Sequence, residues 1–140
     1  MSDFKDCLKR KRIKEFPSGK NLFLKELKLA KEDLKTAKGS LDNENFKWAI
    51  IQIYYSMFHS ARCLIYKKDY REKSHYCLIE AIRELYVVSG DLNFSLLESL
   101  QKAKQLREDA DYYGDFTKGN AKRLIEDAEN FIEEVERIIN

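Results

Sequence analysis

The sequence predicts an all-α fold, an antiparallel up-and-down bundle of about five helices. Three observations predict it. One proline and five glycines in 140 residues leave few places for the chain to break. Apolar residues recur at three- and four-residue steps in successive stretches, the period of a helix face rather than the alternation of a strand. The stretches are separated by short polar breaks, which favour antiparallel neighbours. A chain of this length suits one domain and can bury a real core.

The first helix follows Pro17, Ser18 and Gly19. Leu24, Leu27, Ala30, Leu34, Ala37 and Leu41 mark its inner face, and Gly39 lies near its end. The second starts near Asn43 and runs to about Lys68. Its apolar residues, from Phe46, Trp48 and Ile50 to Leu64 and Ile65, surround most of the circumference, so it is the central element. The polar run "KKDYREK" breaks the pattern, and Ser74 can cap a third helix that turns Leu78, Ile79, Ile82 and Leu85 inward before "SGD". A fourth helix begins at about Asn93 with Leu96, Leu97, Leu100, Ala103, Leu106 and Ala110 on one face. After "YYGDFTKGN", the residues Ala121, Leu124, Ile125, Ala128, Phe131, Ile132, Val135 and Ile138 draw the stripe of the last helix.

Charged residues make up 36% of the chain, yet the net charge is only +2, so global charge names no nucleic-acid partner. The imbalance is local. Residues 1–20 hold seven cations against three acids, a net +4, and residues 121–140 hold three cations against six acids, a net −3. The basic start is expected either to attract the acidic end or to touch phosphate. Cys7, Cys63 and Cys77 are an odd set without short paired spacing, which argues against a disulfide framework or zinc ribbon and for a reducing cytoplasm. No signal peptide is expected, and the longest apolar run, "WAIIQIYYSMF", is too short for a membrane span.

Three polar clusters stand out. On the central helix Tyr55, His59, Arg62 and Tyr66 fall at steps of four, three and four, forming one polar-aromatic stripe. It is either the line where that helix meets solvent, with Arg62 snorkelling, or a seam facing a phosphate or a partner. His59 and Cys63 share an i, i+4 spacing but lack companion ligands, so no metal is expected. The loop "YREKSH" gathers Arg71, Lys73, Ser74 and His75 at a helix start. There free N–H groups favour anions, although a plain Ser74 cap with Glu72 and the cations solvated is the reading ranked first, and the two are compatible. In "KQLREDADYYGDF", Arg107 and Asp111 lie about 40° apart on a helix and can pair, whereas Tyr112 lies about 140° from Arg107. Arg107 and Tyr112 converge only if the helix unwinds near Ala110 or a second chain intervenes.

The run "YYSMFHSARCLIY", then "KSH", then "LREDADYY" resembles the HEPN superfamily of small helical prokaryotic proteins, over about residues 22–138. On that resemblance residues 21–140 are a HEPN-like helical bundle and residues 1–20 a basic N-terminal extension. The resemblance implies a homodimer, encoded beside a minimal nucleotidyltransferase as a toxin-antitoxin pair and using no cofactor. Many members are metal-independent ribonucleases built on an arginine, four to six intervening residues and a histidine. The imidazole moves protons near neutrality and the guanidinium holds developing phosphate charge.

This chain departs at one point. Four residues separate Arg107 from Tyr112, where the nuclease pattern has histidine, and a phenol with a pKa near 10 is a poor base at pH 7. Asp109 and Asp111 add negative charge beside any phosphate. The sequence therefore ranks a dimeric module that binds RNA, a nucleotide or a nucleotidyltransferase first. Its candidate contacts are Tyr55, His59, Arg62, Lys73, Ser74, His75, Arg107, Asp111 and Tyr112. A ribonuclease toxin using Arg107 with Tyr112 or a histidine ranks second, and a purely structural adaptor third.

Overall fold

The computed structural model describes residues 3–112 and 116–140, and the side chains of these except at 110–112. The elements in order are α1 (Asp3–Lys9), β1 (Ile13–Glu15), α2 (Gly19–Asp42), α3 (Phe46–Lys67), β2 (Tyr70–Glu72), α4 (His75–Ile82) running into a π-helical turn (Arg83–Val87), α5 (Phe94–Tyr112) and α6 (Lys118–Ile139). The expected all-α bundle is present, and the short β1–β2 ribbon is an addition to it.

Helix α3 is the axis, packed by α2, α4, α5 and α6. Thirteen of its residues are buried, from Ala49 to Tyr66, so it has a dry circumference broken only in a few places. Trp48, expected among the apolar residues, is 57% exposed in the first turn. Helix α2 runs antiparallel to α3: Ser40 Oγ donates to Gln52 Oε1 at one end, and Ser56 Oγ donates to the Ala30 carbonyl further along. Helix α6 presents the predicted stripe, with Ala121, Leu124, Ile125, Ala128, Phe131, Ile132 and Val135 all buried. Each large apolar side chain so buried is worth about 1.5–3 kcal/mol. The acids of α6 find their cations on α2, in Lys31–Glu136 at 3.2 Å and Lys38–Glu129 at 3.6 Å.

Two predicted core positions move for reasons of helix phase. At 100° per residue Leu24 sits about 60° from Leu27, on the outer edge of its stripe, and it is 60% exposed. Phe23, nearer the middle of the arc, packs on the core instead. After α4 the wider π turn advances the inward face, so Tyr86 is buried and donates to the Leu64 carbonyl at 2.6 Å, while Leu85 is only half-buried.

The chain between helices is set by local chemistry. Ser74 has an extended backbone and its Oγ accepts from the Cys77 N–H at 3.1 Å, the expected N-cap of α4. Thr117 does the same for α6 through the Asn120 N–H. Gly19 permits a close approach: a Cβ there would lie 2.3 Å from the Tyr66 carbonyl oxygen, so the start of α2 seats against the end of α3 only because that residue is glycine.

The first residues pack onto this bundle. Strand β1 pairs antiparallel with β2 in the register Ile13–Glu72, Lys14–Arg71, Glu15–Tyr70. Phe4, Cys7 and Ile13 join the core cluster. The cysteine expectation is corrected here. Cys7 of α1 and Cys77 of α4 form a disulfide, with Cα atoms 5.8 Å apart at a sequence separation of 70. Short-spacing rules cannot find a link between segments that only packing brings together. With two of the three cysteines bonded, the cysteine count gives no ground for a reducing compartment. No helix among the described residues is long and apolar enough to cross a membrane.

Candidate functional site

The polar stripe of α3 is not the place where that helix meets water. It is a seam covered by α2, β2, the start of α4 and the middle of α5. Two groups of contacts divide it.

The first is an ion network. His59 Nδ1 lies 2.6 Å from Glu26 Oε2, and its Nε2 lies 3.7 Å from Asp33 Oδ2. Burial raises the Asp33 carboxyl above its ordinary range, against the opposing pull of His59. Arg62 grips Glu72 with both arms of its fork, Nε to Oε1 at 3.1 Å and Nη2 to Oε2 at 2.6 Å, and reaches Glu26 at 3.8 Å. Its guanidinium also sits 4.4 Å from the Phe58 ring centroid. Strand alternation explains Glu72: its neighbour Arg71 points outward and is exposed, so Glu72 points in, and it is only 6% exposed. Glu72, expected to be solvated beside a Ser74 cap, is instead the buried counter-ion of Arg62. His59 and Arg62 are thus already matched by carboxylates, which leaves little field for a phosphate.

The second group is aromatic. Tyr54 OH lies 2.6 Å from His75 Nδ1, and the His75 ring lies tilted against Phe58 with centroids 4.6 Å apart. Tyr54 and Tyr55 rings are 5.4 Å apart, and Arg107 Nη2 donates to Tyr55 OH at 3.3 Å with its guanidinium 5.6 Å from the Tyr55 ring. Burial, above all, depresses the His75 pKa, and the positive charges of Arg107, Lys104 and Arg62 push the same way against Glu72. The ring is therefore held neutral at pH 7 and keeps one nitrogen lone pair. Burial raises the Tyr54 phenol, so it stays protonated and can either donate to a bare Nδ1 or accept from Nδ1–H. The second arrangement puts the lone pair on Nε2.

The predicted site residues separate accordingly. Tyr55, His75 and Arg107 come together across residues far apart in sequence, with the buried Tyr54 between them. His59 and Arg62 belong to the acidic network. Ser74 serves as the N-cap, and Lys73 stands on the opposite, exposed face of the ribbon. The side chains of Asp111 and Tyr112 lie outside the described residues, so the expected Arg107–Asp111 pair does too. Glu26 and Glu72 carried no sequence signal beyond charge. Cys63 is buried, its thiol pushed up to about 12 by desolvation, and is inert rather than a ligand partner for His59. Among the described residues no three His, Cys, Asp or Glu side chains gather as a metal site.

Residues 25–138 match the HEPN domain family. The chain belongs to that family. It is 29% identical over 114 residues to "Putative toxin MJ0605" of Methanocaldococcus jannaschii, covering 81% of this HEPN chain and 85% of that relative. It is 26% identical over 88 residues to "Putative toxin MJ0142" of the same organism, covering 63% of this chain and 60% of that one. A UPF0332 protein of Thermotoga maritima is 30% identical over 112 residues, with 79% and 85% covered. The matched HEPN region holds Tyr54, Tyr55, His75 and Arg107, whereas α1 and β1 lie ahead of it.

Proposed function

We propose that this HEPN protein is the toxin-type component of a two-component system and binds an RNA phosphodiester at the Tyr54–Tyr55–His75–Arg107 seam. The observation that carries the proposal is the convergence of α3, the start of α4 and α5 on one tyrosine pair, with a guanidinium on one ring and a neutral imidazole on the other. A guanidinium is suited to phosphate oxygens, and the half-buried Tyr55 phenol beside it supplies a further donor, while the buried Tyr54 holds His75 in place. An arriving anion would offset the share of the His75 depression that comes from Arg107, Lys104 and Arg62, while the larger share, from burial, remains. The relatives named as toxins support the same assignment. A homodimer and a minimal nucleotidyltransferase partner belong to this proposal, the α5 exit being the candidate contact surface.

One observation favours a second reading, a metal-independent ribonuclease. Tyr112 stands where the nuclease pattern has histidine, but His75 lies within the electrostatic reach of Arg107 and holds a neutral ring. It is the histidine suited to accept the 2′-hydroxyl proton while Arg107 holds the phosphate.

Fluorescence anisotropy with a 5′-labelled single-stranded RNA in EDTA tests both. Arg107→Ala is expected to weaken binding about tenfold or more, the worth of one or two charge-assisted hydrogen bonds. Equal affinity in wild type and Arg107→Ala would overturn the seam as the binding site. Cleavage in the same samples that vanishes in His75→Ala promotes the ribonuclease.

A further inference from the structure

The β1–β2 ribbon has two faces of opposite character. Inward, Ile13 and Glu72 are directly opposed and buried. Outward, Lys14 is directly opposed to Arg71. The Lys73 N–H donates to the Arg12 carbonyl at 2.8 Å, which extends the ladder so that Arg12 and Lys73 form the next outward row. All four are exposed. They line a cleft of about 560 Å³ together with Glu15, the edge of Glu72 and the half-buried ring of Phe16. Glu72 is engaged by Arg62, so Glu15 is the remaining acid of the cleft.

Like charges directly opposed across a strand pair destabilise it. Here two such rows are stacked, and the proximity of Lys14 first of all, then Arg12 and Arg71, makes the Lys73 ammonium easier to deprotonate than an isolated lysine. The fold holds this arrangement in place from behind. The disulfide anchors α1 to α4, Ile13 is fully buried, and the Phe16 N–H donates to the Asp69 carbonyl at 2.6 Å. The cations therefore cannot relax by fraying of the ribbon. A bound polyanion would relieve them.

We propose that the outward face of the ribbon is a docking site for the phosphodiester backbone of single-stranded RNA, with Arg12, Lys14, Arg71 and Lys73 each neutralising a phosphate. The proposal rests on the RNA reading of the seam and extends it. Alternate residues on a strand lie about 6.8 Å apart, a spacing comparable to the phosphate repeat of an extended strand. Phe16, already under the Arg71 guanidinium at 5.4 Å, offers a ring edge beside them. Lys73 and His75 are two residues apart in sequence, Lys73 on the outward face of the ribbon and His75 at the start of α4. Two of the four cations come from residues ahead of the matched HEPN region.

The experiment measures affinity of the full chain for a 5′-labelled single-stranded RNA against salt. Wild type, Arg12→Ala/Lys14→Ala, Arg71→Ala/Lys73→Ala and the quadruple alanine variant are compared, alongside Arg107→Ala. Each cation removed is expected to reduce the slope of log affinity against log salt by about 0.7, so close to 3 for the quadruple variant, with affinity falling at least about tenfold at low salt. The charge-keeping set Arg12→Lys, Lys14→Arg, Arg71→Lys and Lys73→Arg should restore both. As a readout of folding, none of the alanine variants should lower the thermal midpoint without RNA, and RNA should raise the midpoint of wild type more than that of the quadruple variant. Wild-type affinity and slope retained by the quadruple variant, with loss only in Arg107→Ala, overturns the ribbon site and leaves the seam standing. No RNA binding by wild type overturns both. An acidic protein that binds the ribbon while RNA does not overturns the choice of ligand.

Discussion

The Arg62–Glu72 pair gives the sharpest test of how the seam is held. Arg62→Met removes the guanidinium but keeps an apolar stem on Phe58, so packing changes little and the loss is chiefly electrostatic. Glu72 is left with its side chain 4% exposed and without the two hydrogen bonds at 3.1 and 2.6 Å. Breaking a buried pair from one side costs about 3–5 kcal/mol. Arg62 itself is 21% exposed, and water can reach the gap, which points to the lower end, about 3 kcal/mol. For 140 residues the unfolding entropy is roughly 0.3 kcal/mol per degree, so the thermal midpoint should fall by about 10 °C. Urea unfolding of wild type, Arg62→Met, Glu72→Gln and the double variant measures the coupling. The double variant should lose at least about 2 kcal/mol less than the two singles together, because the stranded charge has gone. Additivity within about 0.5 kcal/mol, or a loss below about 1 kcal/mol in Arg62→Met, would refute the claim that this pair holds β2 on α3.

Three further outcomes are expected. His75 has a folded pKa below its unfolded value of about 6.5, so as pH falls through that value the unfolded chain gains a proton that the folded chain resists, and stability drops. Urea titrations from pH 7.5 to 5 should show this slope reduced in His75→Gln, and an identical slope would contradict the depressed imidazole. Tyr112→His should create or raise metal-independent RNA cleavage, with general acid-base help worth about 100- to 10,000-fold, and Arg107→Ala should abolish the gain, as read on gels in EDTA. Cys7→Ser opens a cross-link spanning 70 residues and should cost roughly 4 kcal/mol under oxidising conditions, while costing far less once dithiothreitol has reduced the wild type.

Periodicity by itself determined the bundle. Helix burial repeats every 3.6 residues, and a stripe such as Leu124, Ile125, Ala128, Phe131, Ile132 and Val135 has no other consistent packing, so the inner faces of α3 and α6 could be read directly. The Ser74 cap was legible for the same reason, since its partner is three residues away. Where phase drifted, at Leu24 or across the π turn at Leu85 and Tyr86, the count of residues per turn rather than the pattern decided which side chain went inward. Of the seam, the sequence marked Tyr55, His75 and Arg107 separately, each on its own motif. Only the tertiary structure decided that they meet at Tyr54, that His59 and Arg62 are matched by Glu26 and Glu72, and that Cys7 reaches Cys77. The physical reason is that these contacts join elements 10 to 70 residues apart, and their energies depend on burial and mutual distance. The strand pairing of Ile13–Glu15 with Tyr70–Glu72 is of the same kind: three residues hold too little pattern to announce a strand, and the partner that makes them one lies across the fold.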